Sequence, residues 1–277
     1  MNTKQIIVIV IVLALMGALL ARPIKGLVED NKGANASTTT EASSAFNFQS
    51  VSDMTKQSIN GSLAQEITAL EAKVANAEGE EKLPLLEELA KKWDDLAKDA
   101  PRGFIYEEMA KISPKFEYWL KAGDAFRSAY TNLQDTAMAT ELNRLAIQSY
   151  EQATALDANN LDAKTGLGAA MVTGTNNPMA GIALLREVVA KEPKNIQANK
   201  TLGLFSLQSR QFDKAIERFK TVVELKPDAE SYFYLATGYE NIGLKNEAIA
   251  AFQKSKELAA DPTLSQFIER RVEELSK

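Results

Sequence analysis

The segment IQANKTLGLFSLQSRQFDKAIERFKTVVELKPDA, from Ile196 to Ala229, limits what this chain can become more than any other stretch. Its apolar residues Leu202, Phe205, Ile216, Phe219, Val222 and Val223 follow the period of helices lying on a core and not that of strands. A short polar turn divides the segment into two amphipathic helices. Gly203 and Ala215 place small residues where the two would meet, and Pro227 follows the second helix, where it stops it. A lone hairpin of this kind cannot bury its own apolar face, so neighbours of the same build are required.

Such neighbours can be traced on both sides. The first copy carries Leu86, Leu89, Ala90 and Trp93, then Tyr106 and Met109 between Pro101 and Pro114, with Arg102 where a small residue is usual. The second shows Trp119, Ala122, Gly123 and Phe126, followed by Ala146, Tyr150 and Ala153. Its halves are separated by roughly eleven more residues than a 34-residue repeat allows. That insertion, spread around Thr131 to Arg144, has no Gly or Pro, so two lengthened helices are expected there. The third copy has Leu167, Gly168, Met171, Gly181, Leu185, Val188 and Pro193, and the fifth has Tyr232, Leu235, Ala236, Tyr239, Gly243, Ala248 and Phe252. Asp261-Pro262-Thr263 then opens a last helix with Leu264, Phe267, Ile268, Val272 and Leu275 on one face, a cap for the end of an array.

These residues resemble the tetratricopeptide repeat (TPR), a helix–turn–helix unit of about 34 residues. The resemblance runs from Leu83 to Pro262. It implies an all-α fold: a TPR-like solenoid of helical hairpins forming a right-handed superhelix, with about five repeats, here preceded by one N-terminal transmembrane helix. The small residues Gly168, Gly203, Ala215 and Ala248 are expected at close helix approaches. The aromatics Trp119, Phe126, Tyr150, Phe219, Tyr239 and Phe252 are expected as filling between units.

The organisation read from the chain is an anchor or signal over 1–25, a flexible polar linker over 26–52, an N-terminal helix over 53–82, repeats over 83–262 and a capping helix over 263–277. The run IIVIVIVLALMGALLA, Ile6 to Ala21, is free of charge and as a helix about 24 Å long, a little short of a hydrocarbon layer of about 30 Å. Ala21 would suit a signal cleavage site, but Leu19 two residues earlier does not, so an uncleaved single span is favoured over a removed signal. Ser, Thr, Ala and Asn dominate from Asn31 to Ser52, a composition with too little apolar surface to fold. Anchors followed by such tethers resemble bacterial envelope proteins, which slightly favours a soluble part outside the cytoplasm. The basic residues Arg22, Lys25 and Lys32 lean the other way.

Composition removes whole classes of chemistry. The 277 residues include no Cys and no His, so disulfides, thiolate zinc sites, imidazole bases and triads built on His are excluded. The net charge is −5, and from Asn60 onward 27 basic face 33 acidic side chains, which disfavours nucleic acid as a partner. Gly166-Leu167-Gly168 has no strand before it and lacks the third glycine of a dinucleotide loop, while acid pairs such as Asp94-Asp95 point to different sides of a helix. No catalytic residue, cofactor or metal is therefore expected, and the chain is not expected to be an enzyme.

Binding remains. The resemblance implies a concave face lined by first helices, and it places Asp124, Arg127, Val172, Lys200, Leu204, Leu207 and Phe233 there as candidate partner-binding residues. The carboxylate clamp of some family members is not recognisable at Leu120, Asp124, Gly166, Gln197 and Thr201. The implied function is a membrane-anchored scaffold or adaptor that binds a peptide or partner protein, with self-association also open. The alternative is a structural subunit of a larger envelope complex.

Overall fold

In the computed structural model, residues 46–277 are described, except 132, 134, 175 and 176. They form one compact unit, helical among the described residues. Two helices come first, α1 (Phe48–Lys56) and α2 (Gly61–Asn76), followed by a single 3₁₀ turn at Gly79–Glu81. Five hairpins follow: α3 (Lys82–Asp95) with α4 (Asp99–Ile112), α5 (Phe116–Thr131) with α6 (Thr136–Leu156), α7 (Leu161–Gly174) with α8 (Pro178–Lys191), α9 (Ile196–Gln208) with α10 (Phe212–Leu225), and α11 (Ala229–Asn241) with α12 (Lys245–Leu258). Helix α13 (Pro262–Leu275) closes the array.

Two boundaries differ from expectation. The linker expected to reach residue 52 gives way to helix at Phe48, because Asn47 accepts from the Ser50 amide while the Ser50 hydroxyl accepts from the Asn47 amide. This reciprocal cap starts a helix that buries Val51 and Ser52 and lies against α4. Phe46 just before it sets its ring 5.9 Å from that of Phe104. The single helix expected over 53–82 is two, broken at Asn60-Gly61, where the Asn60 side chain caps α2 by accepting from the Ser62 amide. A helix N-cap lies here in the middle of a polar run that hydropathy alone cannot divide. The apolar run over residues 6–21 lies outside the described residues, and no described helix is long and apolar enough to cross a membrane.

The insertion lengthens both helices of the second hairpin, to 16 residues in α5 and 21 in α6, with Asp135 capping α6 through the amides of Ala137 and Met138. Polar caps at recurring positions set where first helices begin. Asn160, Asn195, Asp228 and Asp261 each accept a hydrogen bond from an amide in the first turn of α7, α9, α11 and α13, at 3.0, 2.9, 2.7 and 2.8 Å. The last of these starts α13 in the manner of a first helix; Ile268 is buried there and Phe267 is 47 % exposed.

Packing between helices depends on small residues facing rings. A Cβ built on Gly203 would lie 2.8 Å from Cε2 of Phe219, and one on Gly168 would lie 2.8 Å from Cγ of Leu185 and 2.9 Å from the Gly181 carbonyl oxygen. Ala215 and Ala248 are fully buried. In the first copy the close approach falls one residue later than expected. Gly103 meets the Phe126 ring, and Arg102 is freed to ion-pair with Asp94 and, at 2.9 Å, with Asp99. Phe126, Tyr150, Phe219 and Phe252 are core as expected. Trp119 and Tyr239 are only half-buried, and Tyr239 carries the Lys220 ammonium over its ring at 5.7 Å.

Three hairpin turns share one closure. The amides of Lys98, Gln211 and Leu244 donate to the carbonyls of Trp93, Ser206 and Tyr239, and the residue before each has positive φ: Ala97 at 52°, Arg210 at 57° and Gly243 at 79°. Only the last is a glycine, the residue such a helix end favours. Arg210→Gly is therefore expected to raise stability by about 0.5–1 kcal/mol, read as a higher urea midpoint with unchanged slope. Gly203→Leu should lower it by about 1–3 kcal/mol or more. A melting temperature equal to the parent's would contradict the packing described.

Candidate functional site

The first helices touch in succession, α5 to α7, α7 to α9 and α9 to α11, so their side chains form one continuous face. A cleft of about 500 Å³ opens on this face. Arg127, Val172, Lys200 and Leu204 line it, so four of the seven candidate residues, from three successive copies, lie around one cleft. Tyr130, Thr173, Phe205, Gln208 and Glu230 complete the wall. Val172, Leu204 and Phe205 supply apolar surface at the centre, and polar groups surround it.

The polar residues are already engaged. Lys200 Nζ donates to Glu230 Oε2 at 2.6 Å and lies 4.0 Å from Asp228, so it ties the fourth hairpin to the fifth at the rim of the cleft. Glu230 also accepts from the Tyr234 hydroxyl at 3.2 Å. Arg127 Nε donates to the Tyr150 hydroxyl at 3.1 Å, and that hydroxyl donates to Asp124 Oδ1 at 2.7 Å.

Tyr150 can reach this position because glycine faces its ring from two helices. A Cβ on Gly123 would lie 2.8 Å from the ring and one on Gly166 only 2.3 Å. The glycines that superficially resemble a nucleotide loop thus serve packing, Gly166 against Tyr150 and Gly168 against Leu185. Burial pushes the Tyr150 hydroxyl well above its ordinary value, with the Asp124 charge acting in the same direction. The Asp124 carboxyl is raised as well, mainly through loss of water around it, and the Tyr150 hydrogen bond and the Arg127 charge oppose the rise. Asp124 thus keeps an open edge while its carboxylate serves the core. It does not line the cleft, contrary to expectation.

Two other candidates also lie elsewhere. Leu207 is half-buried against the core formed by α10 to α13, since the next hairpin covers it. Phe233 lines a separate cleft of about 600 Å³ between α11 and α13, with Phe252 and Phe267 at ring distances of 5.6 and 5.9 Å. Tyr130 and Phe205 were not foreseen as cleft residues. Tyr130 belongs to the extension of α5 that no regular repeat has, and its hydroxyl lies 3.2 Å from Thr173 Oγ1. Phe205 occupies a repeat position that normally reads as core, yet it is half-exposed between two grooves.

Stacked helical hairpins presenting a cleft on their first helices define a helical-repeat binding module. Residues 229–262, which span the fifth hairpin, match the tetratricopeptide repeat model. No curated protein matches the chain. Among solved structures, MamA residues 41 to the end from Desulfovibrio magneticus RS-1 are 22 % identical, with 66 % of this chain and 97 % of that one covered and a TM-score of 0.51, a likeness of fold. Another MamA crystal structure is 26 % identical, covering 61 % and 92 % at a TM-score of 0.48. YrrB, a TPR protein with an unusual peptide-binding site, is 16 % identical, covering 67 % and 91 % at 0.47.

The hydroxyl of the buried Tyr150 bridges two charged groups, so Tyr150→Phe should cost about 1–2 kcal/mol. Urea unfolding of parent and variant measures this, and equal midpoints would assign the bridge no structural role.

Proposed function

We propose that this protein is a scaffold that holds a peptide or helix of a partner protein in the cleft of α5, α7 and α9, tethered to a membrane through residues 6–21. One observation carries the reading: Arg127, Val172, Lys200 and Leu204, distant in sequence, converge on a single cleft with an apolar centre and a charged rim. Interfaces concentrate binding energy in such centres, where an anchoring side chain is fully dried, while the rim sets orientation. The Lys200–Glu230 pair at the rim offers both signs of charge to a partner's backbone or side chains. The charge-free run from Ile6 to Ala21 supports the tether. The polar segment behind it supports an array held at some distance, with the side outside the cytoplasm slightly favoured.

Proximity labelling with the full-length protein identifies the partner. Lys200→Glu combined with Leu204→Asp should remove that partner from the labelled set while circular dichroism still reports a folded array. Retention of the partner by the folded variant would refute the cleft as the docking site. The tether is tested separately: the full-length chain should resist carbonate extraction, and deletion of residues 1–25 should release it. Because the chain has no Cys, Ser44→Cys with a membrane-impermeant maleimide reports the side on which the array lies.

A further inference from the structure

A second groove, of about 400 Å³, lies between α8 and the α9–α10 hairpin. Ile182, Leu202 and Phe205 form its apolar floor, and Met179, 57 % exposed, stands at its edge. Arg186, Lys214 and Arg218 surround it. Their neighbourhood is unusual in this acidic chain: residues 178–226 carry nine basic against five acidic side chains, whereas residues 46–112 carry eight against thirteen.

Among the described residues, none of these three cations has a carboxylate partner. Lys214 Nζ donates to the Gln211 amide oxygen at 2.6 Å, and Arg218 Nη1 donates to the Asn199 amide oxygen at 3.1 Å. Glu187, next to Arg186 in sequence, is taken by Lys164 at 2.5 Å and Lys191 at 3.2 Å. Glu217, the acid that lines the groove, pairs with none of the three. Lys164, Lys191 and Lys200 on the adjoining helices are each paired with an acid, whereas the three cations gathered at this groove are not.

We propose that this groove is a second docking site, which takes an acidic segment of a partner protein carrying one apolar anchoring side chain. The three cations supply the complementary charge and the floor supplies the pocket for the anchor. Nucleic acid fits poorly, since it needs a long basic track and gains nothing from an apolar floor. Phe205 lines both this groove and the first-helix cleft, so the two adjoin across it on neighbouring faces of α9.

The test uses full-length protein in detergent and a fluorescein-labelled Glu-rich peptide with a single central Phe, read by fluorescence anisotropy. The peptide should bind, and more weakly as salt rises through ~0.15 M. Arg186→Glu with Lys214→Glu should weaken binding by about tenfold or more at an unchanged melting temperature, both residues being exposed. Equal affinity in that variant would overturn the proposal. So would equally tight binding of an all-Glu peptide without Phe, or displacement by inorganic phosphate, which would make the groove an anion site. Loss of the peptide in the Lys200→Glu, Leu204→Asp variant with retention in the charge-reversed one would place it in the first-helix cleft and equally refute this groove.

Discussion

The contact on which the rest depends is a ring resting on a residue without a side chain. Phe126 lies against Gly103, Tyr150 between Gly123 and Gly166, and Phe219 against Gly203. In the first two of these the ring and the glycine belong to different hairpins or bridge one to the next. One contact thus sets the spacing within a hairpin and the stacking between hairpins. Because interiors are close-packed, an added methyl group at these points has no room to relax into, and the error would pass to the neighbouring unit. The Phe104–Phe126 pair, edge to face at 5.0 Å, extends the same arrangement towards the N-terminal helices.

Stacking of this kind leaves the first helices side by side and frees part of their surface for other work. The cleft of α5, α7 and α9 is a consequence of that regularity, modified by one irregularity. The extension of α5 brings Tyr130 over the end of the cleft, where a standard repeat would already have turned. Ion pairs across unit boundaries, such as Lys200 with Glu230 and Lys256 with Glu269 at 2.6 Å each, are exposed to water and fix register more than they add stability. Helix α13 buries Ile268 like any repeat residue and leaves Phe267 beside Phe233 in an open groove.

Much of this was legible in the residues. Small and aromatic positions recurring at the repeat spacing placed the hairpins, and the absence of Gly and Pro near Thr131 foretold longer helices there. The resemblance to the repeat family placed Arg127, Val172, Lys200 and Leu204 on one face by their positions in the first helices, and they line one cleft. Counting failed where a side chain's surroundings come from another unit. Asp124 and Arg127 sit three residues apart on one helix and both bond the Tyr150 hydroxyl, 26 residues beyond Asp124, yet only Arg127 lines the cleft. Leu207 has the same helical phase as a cleft residue and is covered by the following hairpin instead. Asn160, Asn195, Asp228 and Asp261 were in plain view as caps, and attention to polar residues as well as apolar ones would have located every first helix from the third onward.

By itself the sequence determined the helical-hairpin repeat, its approximate boundaries, the exclusion of thiol and imidazole chemistry and the face on which a partner is expected. Those properties are local: they depend on spacing along a helix, on turn residues and on which atoms are present at all. Tertiary structure alone decided that α1 lies on α4, that Phe233 belongs to a different cleft from Lys200, and that Arg186, Lys214 and Arg218 share a groove without an acid to neutralise them. Each of those depends on which unit lies against which, and distance between helices is set by packing that no single helix encodes.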